Sequence, residues 1–259
     1  MGDESSPRSH KSAAKPAIIR KIKDLDEYGH LLEAWGEGAR RLQARSDVEP
    51  GALTPSFQPR LPSSTMFSYR HAFHAANHAD VLKHITLLAT LRHLQQKEAG
   101  ITLIDTHAGA GLYRLDGDYS QKGAEAEDGL FKLLEKVAER ENLPEPVQDY
   151  LDQVAHFNPQ GEARIYPGSP VLMAQLLRHE ARDRLKLFEL HPTDIQALAG
   201  NMAQLELGRA VQVSREDGFE SLKKLLPPPA STSGSKRAMV LIDPSYEIKS
   251  DYAKVSNVI

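Results

Sequence analysis

From residue 78 onward the apolar positions follow two rhythms. Val81, Leu82, Ile85, Leu88, Leu91 and Leu94 recur at mostly three- and four-residue intervals, the spacing that lines one face of an α-helix. Asn77 precedes them as a helix cap. Asp80 stands three residues on, where a capping box places its acid. The spacing predicts a helix over 78–97, ended by Gly100. The second rhythm is a set of short apolar runs, "ITLID" (101–105), "LKLFEL" (185–190), "AVQVSRED" (210–217) and "AMVLID" (238–243). These read as buried strands. Between them, residues 124–157 are helical by pattern with a break at Pro144 and Pro146. "YPGSP" (166–170) reads as a tight turn before the helix "VLMAQLLRHE". "TDIQALAGNMAQL" and "FESLKKLL" read as further helices, and 227–236 as a loop. Strands alternating with helices imply a parallel sheet covered on both faces. Ligands of such sheets lie beyond the carboxyl ends of the strands.

Residues 1–65 have a different character. The first sixteen are rich in Ser, Lys and Pro and are expected to be disordered. Leu25, Tyr28, Leu31, Leu32, Trp35 and Leu42 then suggest one amphipathic helix, weakened by Gly36 and Gly38. "EPGALTPSFQPRLPSST" reads as a proline-rich linker. The folded unit is expected to begin at Met66, with 1–65 as an N-terminal extension.

Composition narrows the classes. The chain has 259 residues, 40% hydrophobic and 26% charged, with a formal net charge of −3, as in an ordinary globular protein. That balance excludes a strongly basic wrapper of nucleic acid but leaves room for a local basic patch. There is no cysteine, so disulfides, thiolate metal sites and a cysteine nucleophile are excluded. No apolar run approaches the ~20 residues of a membrane span. The N-terminus lacks the apolar core of a secretory signal. A cytoplasmic location is the default expectation.

The strand ends carry the candidate chemistry. Asp105 is followed by "THAGAG". The glycines there, Gly109 first, suit either a plain turn or the approach of backbone to a ligand. Glu189 ends the second strand. It is either a solvated acid or a carboxylate for the two ribose hydroxyls of a nucleoside. Asp217–Gly218 is either a turn or a contact for an adenine ring. "IDPSYE" resembles the D-P-P-Y motif of methyltransferases that act on exocyclic amines of nucleobases. Such an amine is a poor nucleophile because its lone pair is delocalised into the ring. Asp243 and the carbonyl of Pro244 would accept its two hydrogens and return electron density to nitrogen. The face of Tyr246 would hold a base taken out of its stack.

"YRHAFHAANHADVLKH" (69–84) holds four histidines, His71, His74, His78 and His84. The first three have spacings that can resemble metal-ligand spacing. Asn77 breaks the set, because His71 and His74 precede the helix. His78 and His84 are six residues apart, about 600° round, and face different sides. The expectation is therefore no metal.

Together "YRHAFHAANHADVLKH", "LIDTHAGAGLY", "HFNPQGEARIYPGSP", "ELHP", "DGF" and "IDPSYE" closely resemble the bacterial 23S ribosomal RNA adenine-N6 methyltransferases, the ribosomal RNA large subunit methyltransferase J type, over residues 66–259. The resemblance implies an α/β, Rossmann-like class I methyltransferase fold that uses S-adenosyl-L-methionine. It also implies a small helical insert at about 114–164. It implies cofactor contacts from His84, His107, Ser169, Glu189, Asp217 and Gly218, with Asp243 as the catalytic acceptor and Tyr69 on the RNA. Lys83 is expected to serve the cofactor carboxylate or an RNA phosphate. Arg70 and His71 extend the RNA-facing segment. The partner it implies is 23S ribosomal RNA, with a monomer lacking metal and membrane contacts as the expectation.

Three departures from the family pattern stand out. Ser245 replaces a second proline, which leaves the Pro244 carbonyl in place. The chain ends 13 residues after Tyr246, where the family has further strands. A sheet incomplete at the C-terminus, poor stability and weak activity are therefore expected. Residues 1–65 have no counterpart, and Met66 stands where the family begins. Two other functions stay open at this stage: an RNA-binding remnant without turnover, and methylation of another exocyclic amine such as guanine N2.

Overall fold

The structure, a computed structural model, describes residues 74–116, 125–229 and 233–259. The helix expected within 1–65, the linker after it, and Tyr69, Arg70 and His71 lie outside these residues.

Helix α1 (His78–Gln95) starts where the sequence places its cap: Asn77 is extended, and its side chain accepts the Asp80 N–H at 2.9 Å. Strand β1 (Thr102–Asp105) is buried throughout. Then come β2 (Leu112–Arg114), a π-helical turn (Glu127–Phe131), α2 (Lys132–Ala138) and α3 (Glu145–His156). Next are β3 (Ile165–Pro167), α4 (Ser169–Gln175), β4 (Arg184–Phe188) and α5 (Pro192–Gln204). Strand β5 (Val211–Ser214), α6 (Gly218–Leu225), β6 (Ala238–Leu241) and α7 (Ser250–Val258) complete the order.

Four strands form one parallel sheet in the order β5-β4-β1-β6. Among the described residues β6 pairs only with β1. Successive residues of a strand point to opposite faces. Leu103 of β1, with Leu185 and Leu187 of β4, accordingly joins the large core beside Leu88, Leu91 and Met173 of α1 and α4. Ile104 and Phe188 join a smaller core on the other face, with Leu222 of α6. Val258 of α7 packs against this second cluster. The sheet is thus covered on both faces by helices, as the alternation of elements implied.

Two local readings are corrected. "YPGSP" is not a free turn: Ile165–Pro167 pairs antiparallel with β2, and α4 begins at Ser169. The three residues of β2 follow the glycine turn directly and are too few to show an alternation. The pattern over 124–157 contains a π-helical turn as well as the break before α3. Among the described residues between β2 and β3, Leu130, Val137, Tyr150 and Val154 join the cluster of Leu88 and Leu103.

The far end of the sheet is fixed by one buried acid. Asp183 accepts the Ile101 N–H at 2.9 Å and pairs with the Arg178 guanidinium at 2.9 Å. Arg178 in turn donates to the carbonyls of Gln95 and Lys97 at the end of α1. This leaves the carboxyl ends of the strands as the open side.

Candidate active site

In the parallel register Asp105 pairs with Leu187 on one side and Leu241 on the other. Glu189 and Asp243 each lie two residues further on. The sheet alone therefore carries Asp105, Glu189 and Asp243 to one rim.

Asp105 is fully buried; its Oδ2 accepts the Ser169 hydroxyl at 2.6 Å and its Oδ1 the His107 N–H at 3.1 Å. Burial pushes its carboxyl up to about 6; the Ser169 and His107 hydrogen bonds and the Lys83 charge hold it back, while Asp243 adds to the rise. Thr106 Oγ1 donates to the Leu241 carbonyl at 3.1 Å, so the His107 ring donates from Nδ1 to the Thr106 oxygen at 2.8 Å. Burial holds His107 below the usual histidine range, and its ring meets Phe219 edge-on at 4.9 Å.

Glu189 ties two strand ends together. Its Oε2 accepts the Gly109 N–H at 2.8 Å and its Oε1 the His191 N–H at 2.7 Å. Gly109 and Gly111 adopt φ of 61° and 86°, left-handed values that glycine reaches without strain. This donor set suits a nucleoside: each Glu189 oxygen keeps a lone pair for a ribose hydroxyl, and the glycine turn offers bare backbone beside it.

Asp217 is neither a plain turn nor an unoccupied acid. It caps α6, accepting the N–H groups of Phe219 and Glu220 at 2.9 and 3.2 Å. Gly218 is buried, and a Cβ there would lie 2.3 Å from the Thr106 carbonyl oxygen. The α6 terminus can approach the end of β1 only with glycine at that position.

Lys83 and His84 are neighbours on α1 and point apart. The His84 side chain has no exposed surface; its Nδ1 lies 2.9 Å from the Tyr166 hydroxyl, which accepts from the Tyr150 hydroxyl at 3.2 Å. Lys83 instead faces the strand ends, with Nζ 2.7 Å from Asp80 and 2.7 Å from Asp243. Burial alone would lower its ammonium. The two carboxylates outweigh that and hold it above the usual lysine range.

Above this pair opens a groove of about 510 Å³. The segment from His74 to Lys83 forms one wall and Leu241–Glu247 the other. Pro244 is a buried member of that wall. Tyr246 has a φ of 56°, a strained value for a non-glycine residue that costs about 1–3 kcal/mol. Its ring sits 4.8 Å from that of Tyr252. Asp243, Pro244 and Tyr246 thus come together with Lys83, while Ser169, Glu189, His107 and Gly109 cluster around β1 and β4.

Sequence reasoning missed Asp80 and Asp105 as members of the site. The signals were present: Asp80 lies one helical turn before Lys83, and Asp105 is the last residue of a fully buried strand. Among the described residues no group of three or more His, Asp or Glu is placed to hold a metal ion. None of the described helices is long and apolar enough to cross a membrane.

Comparison with known proteins adds a family to this geometry. The family model described as "Ribosomal RNA large subunit methyltransferase D, RlmJ" matches residues 98–259. The chain is 40% identical over 190 residues to the ribosomal RNA large subunit methyltransferase J of Escherichia coli strain K12, covering 73% of this chain and 63% of that protein. It is 42% identical over 195 residues to the protein of the same name from Haemophilus influenzae, covering 75% and 64%. The chain thus spans less than two thirds of these relatives' length. The crystal structure of protein LPL1258 from Legionella pneumophila is similar at a TM-score of 0.60 and 35% identity, covering 71% of this chain and 63% of that one.

Proposed function

The chain belongs to the ribosomal RNA large subunit methyltransferase family whose model it matches, with a class I methyltransferase fold, and on that premise we propose that it transfers a methyl group from S-adenosylmethionine to the N6 amine of an adenine in 23S ribosomal RNA. The observation that carries this reading is Asp243. It stands just beyond the end of β6, on the wall of an open groove, with one carboxylate oxygen engaged by Lys83 at 2.7 Å.

S-adenosylmethionine, when bound, supplies a methyl carbon made electrophilic by a positively charged sulfur. The other requirements fall to the chain's own residues. Glu189 would take the ribose hydroxyls, and the backbone of Gly109 would lie against the cofactor. Ser169 and His107 would serve the same crevice near Asp105, while His84, a cofactor contact in the family pattern, is buried against Tyr166. Asp217 and Gly218 would border the adenine end. Asp243 and the Pro244 carbonyl would accept the two amine hydrogens, and Asp243 would take the proton once nitrogen has gained the methyl. Tyr246 would stack on the target base. Tyr69, Arg70 and His71 would meet the RNA. Lys83, expected on the cofactor carboxylate or an RNA phosphate, would act there while paired with Asp243. No residue of the set requires a metal, and the place of action would be the cytoplasm, where ribosomal RNA is found.

Tritium transfer from labelled S-adenosylmethionine to deproteinised 23S RNA tests the reading. Transfer by the wild-type chain, lost in Asp243→Ala, is the expected result. Binding of RNA with no transfer by either protein would overturn it.

A further inference from the structure

Asp80 has no place in the chemistry described so far. It is a carboxylate with 3% exposure, and burying such a group costs several kcal/mol unless it is paired. It lies one helical turn before Lys83 on α1 and takes its Nζ at 2.7 Å. Its other oxygen accepts the Ala76 N–H at 3.0 Å, and its own N–H is held by Asn77. Ala76 sits at φ 68°, and its carbonyl accepts the Leu130 N–H of the π-helical turn at 2.9 Å. The Asp80 carboxylate is therefore anchored through the turn before α1, and it holds Lys83 at a fixed point between two acids.

We propose that Asp80 is a positioning residue for methyl transfer: it offsets the Lys83 charge and so fixes Asp243 as a competent acceptor for the amine. This rests on the function proposed above. The physical reason is charge. Positive charge develops on the amine nitrogen as it gains the methyl. An ammonium 2.7 Å from Asp243 would by itself cancel the acceptor and oppose that charge. With Asp80 present the three side chains sum to −1. Without it they sum to zero. The other groups facing Lys83 are Asp105 at the end of β1, and His74 and Glu247 on the groove walls. Burial alone would drive the Lys83 proton off, and the two carboxylates retain it.

A plain helix-capping role would need only an acceptor for the Ala76 N–H. Asp80→Asn keeps such an oxygen and removes the charge, so it separates the two roles. The full chain and its Asp80→Asn variant are compared in two assays. The first is methyl transfer to deproteinised 23S RNA, with kcat and KM measured from pH 6.5 to 9.5. The second is lysine acetylation by an amine-reactive reagent, quantified at each lysine by peptide mass spectrometry. The expected kcat of the variant is about 10- to 100-fold lower, with both KM values within about twofold. Its rate rises with pH as Lys83 loses its proton, and the wild-type rate lacks that rise. Lys83 acetylates about tenfold faster in the variant, and Lys249 is unchanged. A wild-type kcat in the variant overturns the proposal, as does a loss without the pH-dependent rise or without faster Lys83 acetylation. If the wild-type chain transfers no methyl, the function fails as a separate matter. Acetylation then decides alone, and an unchanged rate at Lys83 refutes the role of Asp80.

Discussion

Replacing Asp105 by asparagine tests the buried strand end through its pH dependence. The Asp105 carboxyl is pushed from 3.8 up to about 6, burial being the largest cause. A carboxyl whose folded value lies above its unfolded value binds more protons when folded. Stability therefore falls as pH rises between about 4 and 6, and stays lowered above that window. The interval between the two values corresponds to about 3 kcal/mol at pH 7.5. Asparagine has no charge to desolvate. Its Oδ1 can accept the His107 N–H, and its Nδ2 can donate to the Ser169 oxygen, so both neighbours of Asp105 keep a partner. The variant is expected to be more stable at pH 7.5 by about 1–3 kcal/mol, or about 2–4 °C in Tm for each kcal/mol. Its stability should also lack most of the decline between pH 4 and 6. Circular dichroism melts of both proteins from pH 4 to 8 measure this. Parallel curves, or a variant less stable at pH 7.5, would refute the reasoning.

Other outcomes follow from single contacts. Gly218→Ala puts a Cβ 2.3 Å from the Thr106 carbonyl oxygen and should cost about 2–4 kcal/mol by thermal unfolding; a loss below 0.5 kcal/mol, in order of magnitude, would mean that α6 shifts freely. Arg178→Ala leaves the Asp183 carboxylate, with 0% side-chain exposure, without its guanidinium, and chemical denaturation should show a loss of about 3–5 kcal/mol. Asp243→Ala should lower methyl transfer by about a thousandfold or more while calorimetric affinity for S-adenosylmethionine stays within about threefold; a parallel loss of affinity would move Asp243 from acceptor to binding residue.

Much of the fold was legible because the chain is locally consistent. The cap at Asn77 and the apolar face behind it gave α1 almost to the residue, and the short, mostly apolar runs gave β1, β4 and β6. Strand β2 was not legible, because its three residues are defined by pairing with β3, a contact 55 residues away along the chain between Leu112 and Pro167. Helix α7 went unread because nothing in its pattern distinguishes a helix from a polar tail. At the site, the strand-end rule located Asp243 and Glu189 correctly at one rim. It could not reveal that Asp217 is spent on capping α6, or that His84 turns into the core toward Tyr166. Nor could it reveal that Lys83 bridges two acids 163 positions apart, Asp80 and Asp243, since such partners are set by tertiary packing.

The central claim is that this chain methylates the N6 amine of an adenine through Asp243. Its most direct test is mass spectrometry of nucleosides from deproteinised 23S RNA, incubated with the full chain and methyl-labelled S-adenosylmethionine. The account predicts labelled N6-methyladenosine with the wild-type chain and none with Asp243→Ala. Label in N2-methylguanosine, or label that persists in the variant, would contradict it.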